Sequence, residues 1–351
     1  MSLDHGSVQQ TAAAIERVQL RDGAIPWYPG GHVDPWNMVE AAMGLDAARR
    51  HDAAEAAYRW LAGRQRTDGA WFAAYRDDAV EDPTLDANFC AYFAAGAWHH
   101  FLATRDVDFL AFCAPAIERA IGFVLRLQLP GGAIAWARDA DYRAWPGALL
   151  TSSACIHLSL GAALAALAEL GHERLEWELA RTALAGAVAC GPRGFEAKSR
   201  FSMDWYYPVL GGVLGGAAAR RRLAARWDEL VIEGRGARCV ADRPWVTTGE
   251  TCELVLALDV AGMRDEAVAL FDWVQHLRCE TGDYWTGATW PEDVVWPRET
   301  TTWGAGSVLL AADALEGSSP TARFFHPTLV STSSEPVREV SVKTPDSTAR
   351  L

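Results

Sequence analysis

One phrase recurs along this chain and constrains its fold more than any other feature. It reads LRDGAIPW at 20–27, RQRTDGAW at 64–71, LQLPGGAIAW at 127–136 and LRCETGDYW at 277–285. Weaker copies are CGPRGF at 190–195 and GRGARCV at 234–240. Each copy follows an amphipathic stretch. Its Gly is expected to end that helix, and its aromatic to pin the loop that follows. A helical unit repeated six times, at a spacing of about 50 residues, buries its apolar face only against its neighbours.

Helical periodicity recurs between these phrases and strand alternation does not. The pattern predicts helices at 7–20, 35–50, 52–65, 86–104, 107–128, 148–170, 173–190, 205–218, 219–233, 249–261, 263–278 and 301–316. The even-numbered ones are poor in charge. Phe89, Tyr92, Phe93 and Trp98 sit among alanines, and Leu254 to Leu258 is nearly continuous. The odd-numbered ones are amphipathic: Leu175, Leu179 and Leu184 alternate with Arg174, Glu176, Glu178 and Arg181. Inner helices wrapped by outer ones follow, in an all-α closed array of six hairpins. The returns from inner to outer helix are short, as at Arg50–Asp52, Thr104–Asp106, Gly171–Glu173 and Ala261–Met263. All long loops must then gather at one end, above the N-termini of the inner helices. Residues 1–316 form this domain. Residues 317–351, rich in Ser, Thr and Pro, are expected to be a tail, docked in part through Phe324 and Phe325 and disordered towards its end.

The formal net charge of −13 argues against nucleic acid or an anionic membrane as partner, because both need a basic footprint. Seven scattered cysteines, with no CxxC pair, point to a reducing cytoplasm. The N-terminus MSLDHGSVQQ lacks the pattern of a signal peptide. The stretch from Ala148 to Ala168 has no charge and could span a bilayer by length, but a helix buried within a protein has the same character. It is expected to be buried.

If the six long loops meet above the inner-helix starts, then Asp34, Asp86, Thr151, Asp204, Glu250 and Thr300 to Thr302 face one mouth. Asp34 precedes Pro35, so it is expected to cap its helix. Tryptophans in predicted loops, at Trp27, Trp71, Trp136, Trp145, Trp205, Trp245, Trp285, Trp290 and Trp296, can stack on sugar rings or pack under other loops. Tyr28, Trp36 and Tyr206 adjoin the acids and are counted with this wall. Paired carboxylates in an aromatic funnel suit glycosidic cleavage: one protonates the leaving oxygen, the other activates water or attacks. Asp34 and Glu250, expected on opposite walls, are the chosen pair. Asp204 stands next, with Glu253 three residues beyond Glu250 as support. His32 is placed to orient a hydroxyl, and Asp86 to bind substrate. The loop holding Glu292, Asp293 and Glu299, with Trp290 and Trp296, reads as sugar subsites as readily as a catalytic centre. Capping or ion pairing is the plainer role open to each acid. His99 and His100 are adjacent on a helix and are expected to point different ways. There is no GxSxG, P-loop or HExxH, and no Cys/His set at zinc spacing. No metal or cofactor is expected.

Over residues 7–316 the repeat and loop chemistry resemble the six-hairpin, (α/α)6-barrel glycosidases. More narrowly, GAIPWYPGGHVDPWNMVEAAMGLDAA, SMDWYYPVLGG and ETTTWGAGSVLLAADAL resemble an actinobacterial group often labelled prenyltransferases, the mycobacterial methylmannose polysaccharide hydrolase group. The resemblance implies an (α/α)6 toroid and an endo-acting α-1,4-mannanase on a cytoplasmic methylated mannan. It implies inversion, with Asp34 and Glu250 in the catalytic roles. Two other classes stay open. Gln65 to Trp71 fits the QxxxGxW repeat of triterpene cyclases, which share a toroid, but no DxDD acid is present and RDADY at 138–142 departs from it. A non-catalytic carbohydrate-binding toroid would keep the aromatic mouth without needing paired acids.

Overall fold

The structure, a computed structural model, describes residues 3–139, 141, 143–317 and 319–326. Its helices are α1 (His5–Val18), α2 (Pro35–Ala47), α3 (His51–Arg64), α4 (Ala87–Thr104), α5 (Val107–Leu125), α6 (Leu150–Glu169), α7 (Leu175–Ala189), α8 (Met203–Leu210), α9 (Gly216–Ala224), α10 (Trp227–Leu230), α11 (Thr248–Ala261), α12 (Arg264–Val274) and α13 (Thr302–Glu316). The charge-poor helices touch in the order α2, α4, α6, α8, α11, α13, and α13 touches α2 again. The contacts therefore close on themselves. Around this circuit α1, α3, α5, α9 and α12 pack outside, each against the two inner helices beside it, and α7 packs against α6. An inner helix is covered on all sides, so it has no face for charge. In α2 every residue from Pro35 to Asp46 is buried.

Helix α6 is long and apolar enough to cross a membrane, but 94% of its most hydrophobic window is buried inside the fold. The expectation of a buried helix is met. The predicted helix at 205–218 ends earlier, at Leu210. Gly211 packs against the Ala154 carbonyl, where a side chain would collide, and Gly212 follows at φ +75°. The segment predicted as 219–233 divides into α9 and α10.

The repeated Gly does not end the outer helix. In the four strong copies it lies in a turn beyond the helix, at Gly23, Gly69, Gly132 and Gly282, with φ between +90° and +100°. Each presses on the next outer helix around the ring. A Cβ there would strike the backbone carbonyls of Ala56, Arg119, Ala183 and Gln10 respectively. A Gln completes the clamp in three copies. Gln19 Nε2 donates to Gly23 O and Ala53 O, Gln65 Nε2 to Gly69 O and Ala116 O, and Gln128 Nε2 to Gly132 O and Ala180 O, all at 2.8–3.0 Å. The motif thus measures the distance between hairpins, which is why it repeats. In the weak copies Gly191, Gly194 and Gly234 meet nothing within 4 Å, while Gly236 is crowded by the side chains of Thr251 and Val246 instead of by an outer helix.

Strands do occur, contrary to the sequence reading. They are β1 (Ala74–Arg76), β2 (Ala79–Asp82), β3 (Leu85–Asp86), β4 (Ala137–Arg138), β5 (Val231–Ile232), β6 (Gly236–Ala237), β7 (Trp245–Thr247) and β8 (Gly287–Thr289). They pair antiparallel as β1–β2, β3–β4, β5–β6 and β7–β8. Runs of two to four residues are too brief for alternation to register. Together with single bridges they stitch each long loop to the next. Val33 and Tyr75 exchange both backbone hydrogen bonds at 2.8 Å. β3–β4 joins the loops before α4 and α6. Glu196 N–H donates to Ala148 O, and Ser202 N–H to Cys239 O. β7–β8 joins the loops before α11 and α13, and Thr302 N–H donates to Trp27 O at 2.9 Å. The long loops form one continuous collar over the inner-helix N-termini.

Past α13, Phe324 and Phe325 are buried, with Phe324 edge-on to His99 at 5.1 Å. The tail beyond residue 326, with its expected disorder, lies outside the described residues.

Candidate active site

The collar brings the acids to one rim. Asp34 caps α2: its carboxylate accepts from Asn37 N–H at 2.9 Å and from Asn37 Nδ2 at 2.6 Å. His32 Nε2 stands 3.6 Å away, and that carboxylate raises the His32 pKa by hydrogen bonding and charge against the opposing effect of partial burial. Asp86 caps α4 through Asn88 and Phe89 N–H, at 2.7 and 3.1 Å. Glu250 lies in the first turn of α11, buried, with Oε2 unpartnered within the protein. In the circuit α13 alone separates α2 from α11. Asp34 and Glu250 are therefore two places apart, not on opposite walls as the sequence suggested. The helix opposite α11 is α4, which carries Asp86.

Between the two acids stands an aromatic wall. Trp303, in the first turn of α13, lies 6.0 Å from Trp36 and 5.7 Å from Trp27 by ring centroids. Its ring is what a Cβ at Gly249 would meet, which fixes it against the start of α11. Trp27 stacks on His32 at 5.8 Å and donates from Nε1 to Glu299 at 3.4 Å. Trp36 stacks on Tyr92 at 5.5 Å.

Deeper inside lie two acids, of which the sequence reading found one. Glu40 on α2 accepts from Tyr92 OH at 2.9 Å through Oε2. Glu253 on α11 accepts from Tyr206 OH and, at 2.9 Å, from Tyr207 OH. Burial pushes both acids up, and the Glu40 charge pushes Glu253 further. Glu40 and Glu253 interact although α2 and α11 are not neighbours, so both face the interior of the circuit. Glu40 was missed because a lone Glu inside WNMVEAAM carries no local signal. Trp303 was missed because it sits on a helix, where a Trp reads as core.

Several expected substrate contacts are corrected. Trp71 and Trp205 are fully buried, with their Nε1 atoms on Leu61 O and Arg222 O. They hold hairpins together and have no surface to offer a sugar. Tyr206 is also fully buried and serves Glu253. Asp204 is tied to Thr151 through Oγ1, at 2.7 Å, and N–H, bracing the starts of α6 and α8. Asp293 pairs with Arg235, whose guanidinium lies over Trp290 at 4.6 Å. Trp245 and Trp296 pack edge to face at 5.0 Å, with Trp296 57% exposed. Tyr28 and Trp285 are half-buried in the collar. His99 and His100 meet different neighbours: His100 Nδ1 bonds Asp46 at 2.9 Å beside Tyr58 and Phe109, whereas His99 packs on Phe324 with Nδ1 3.9 Å from Asp46, beyond hydrogen-bond reach. Among the described residues no group of three or more His, Cys, Asp or Glu could hold a metal.

Burial pushes Asp86 up to about 7, with the Asp34 charge adding to the rise and two N–H donors opposing it. A raised carboxyl pKa favours the protonated form in the folded state. The associated stability is therefore full below about 3.8 and lost as pH rises through about 7. Melting temperature should fall across this window, and Asp86→Asn, which cannot ionise, should flatten the fall. Thermal melts from about pH 4 to 8 check this; equal slopes in both proteins would remove Asp86 as the cause.

No protein-family model matches the chain. The chain is 49% identical over 312 residues to the MMP endo-(1,4)-3-O-methyl-alpha-D-mannosidase of Mycolicibacterium hassiacum, covering 89% of this chain and 87% of that protein. Among solved structures it resembles a wild-type glycosidase, with TM-score 0.72 and 16% identity, covering 89% of this chain and 96% of the other. A sugar epimerase from a ruminal bacterium aligns with TM-score 0.67 at 10% identity, covering 88% and 98%. A D-mannose isomerase aligns with TM-score 0.64 at 9% identity, covering 88% and 95%. At such identities these structures speak for the fold.

Proposed function

The chain belongs to the family of the MMP endo-(1,4)-3-O-methyl-alpha-D-mannosidase and is a glycoside hydrolase, and from that premise we propose that it cuts internal 1,4 bonds of a 3-O-methyl-α-D-mannan between Asp34 and Glu250. The closed circuit is read as an (α/α)6 barrel, with residues 317–351 as an appended tail. The observation that carries the assignment is that Asp34 at the N-cap of α2 and Glu250 in the first turn of α11 stand under one collar, with Trp303 between them. One of them protonates the leaving oxygen while the other activates water, and the product is inverted. Glu299 and His32 flank the aromatic wall and bind hydroxyls. The exposed Trp296 and the Trp136–Trp145 pair, 5.2 Å apart, are platforms for sugars further along the chain. Several such platforms support internal rather than terminal cutting. The seven cysteines are all unpaired, which supports a reducing, cytoplasmic setting.

The test is to incubate the protein with 1,4-linked 3-O-methyl-α-D-mannan and with unmethylated α-mannans and α-glucans. New reducing ends in fragments of intermediate length are expected from the methylated polymer. Binding without cleavage would favour a carbohydrate-binding module, and consumption of prenyl diphosphates would favour prenyl chemistry.

A further inference from the structure

Six buried polar atoms near the inner-helix starts have no partner within the protein. They are Trp36 Nε1, Asn37 Oδ1, Glu40 Oε1, Asn88 Oδ1, Glu250 Oε2 and Trp303 Nε1. Each belongs to a side chain more than nine-tenths buried. A folded protein leaves few such atoms, because each costs about 1–3 kcal/mol. Here those of Trp36, Asn88, Glu40 and Trp303 lie together. Trp36 and Asn88 both face Cys155, which in turn feels the charges of Glu40 and Glu253. Trp303 Nε1 faces Glu40 without reaching hydrogen-bond geometry. Two are donors and four are acceptors, so a ligand that meets both kinds must itself both accept and donate. A sugar ring with free hydroxyls does so; an apolar or purely anionic ligand does not.

Glu40 is the most constrained member. Tyr92 OH holds Oε2 and so fixes the direction of Oε1. Trp36 packs on the same Tyr92 ring, so the aromatic wall and the acid are oriented as one piece. We propose that Glu40 is a specificity-determining residue, whose Oε1 accepts a hydrogen bond from an unmethylated hydroxyl of the sugar ring seated between Asp34 and Glu250. An ether oxygen carries no proton, so a methylated position cannot satisfy this atom. With the 3-position methylated, the partner is the 2- or the 6-hydroxyl. Burial also raises the Glu40 pKa, so in acid the charged acceptor becomes a neutral carboxyl and the contact weakens. This inference rests on the hydrolase reading and adds the feature that selects the ring.

The experiment measures binding, so that it stands apart from turnover. Calorimetry is run on Asp34→Asn and on the double variant Asp34→Asn, Glu40→Leu, since Gln would keep a carbonyl acceptor in place. The ligands are a 3-O-methylmannose oligosaccharide and its 2-deoxy and 6-deoxy analogues. In the single variant, one deoxy ligand should bind about 10- to 100-fold more weakly than the parent. Glu40→Leu should close most of that gap while leaving the other deoxy ligand's ratio unchanged. If the single variant binds none of these ligands, the hydrolase reading fails. If it binds them and Glu40→Leu leaves every ratio unchanged, Glu40 has no part in selection and only this inference falls. Where Glu40→Leu does not fold, Glu40→Met replaces it: the carboxylate acceptor is again removed, and the same gap must narrow, with an unchanged gap overturning the assignment.

Discussion

Replacing Asp34 by Asn, or Glu250 by Gln, is expected to lower turnover by about 10²- to 10⁴-fold while leaving the fold standing. Each change removes a proton-transfer group at nearly constant shape; in Asp34→Asn the charge facing His32 and the second bond from Asn37 Nδ2 change with it. Asn is as good an N-cap as Asp, so the hydrogen bond from Asn37 N–H can persist and α2 keeps its start. Glu250 stands beside Glu253, whose pKa its charge raises. An uncharged Gln relieves that repulsion, so the melting temperature of Glu250→Gln should equal or exceed that of the parent. Steady-state kinetics on the methylated mannan, with a thermal melt of each variant, checks both halves. Asp204→Asn makes an instructive contrast. Its carboxylate braces Thr151 instead of facing the substrate, so it should change stability more than rate.

The second large effect concerns stability and two adjacent glycines. Gly132→Ala is expected to cost roughly 3 kcal/mol or more, whereas Gly131→Ala should fall within about 0.5 kcal/mol of the parent. Gly132 sits at φ +90°, and a Cβ there would strike the Ala183 carbonyl of α7. It also presents its own carbonyl to Gln128. The chain cannot relieve the clash by moving, because moving the turn breaks the second bond of the same Gln, to Ala180. Gly131 is exposed and meets nothing within 4 Å. Denaturant unfolding of the two variants separates a spacing device from a generic flexible turn. Equal midpoints would mean that the recurring Gly does not set the distance between hairpins.

These two sites also mark how far the sequence could be read. The repeat announced hairpins because the same contact has to be made at each junction, and a clamp of fixed geometry needs the same residues each time. The position of the turn relative to the helix was misjudged, since a Gly near a helix end looks the same whether it caps the helix or abuts a neighbour. Asp34 and Glu250 were legible because helix starts carry local signals: Pro35 after Asp34, and a Thr-rich approach to Glu250. Their mutual placement was not. It depends on the order of the circuit, and α13, the last helix of the circuit, comes between the two. Trp71 and Trp205 were assigned to a sugar wall for being in loops, yet a loop that lies under a collar is interior. Glu40 had no signature at all. It becomes visible only when Tyr92, Trp36 and Trp303, from three helices, are seen around it.

The most direct measurement is a structure of the Asp34→Asn variant with a 3-O-methylmannose oligosaccharide bound across the mouth. One glycosidic bond should lie between residue 34 and Glu250, whose carboxyl positions should be roughly 6.5–9.5 Å apart to admit a water, with the ring beside Trp303 turning a free hydroxyl toward Glu40. An oligosaccharide held elsewhere on the collar, with no bond between those two side chains, would contradict the account.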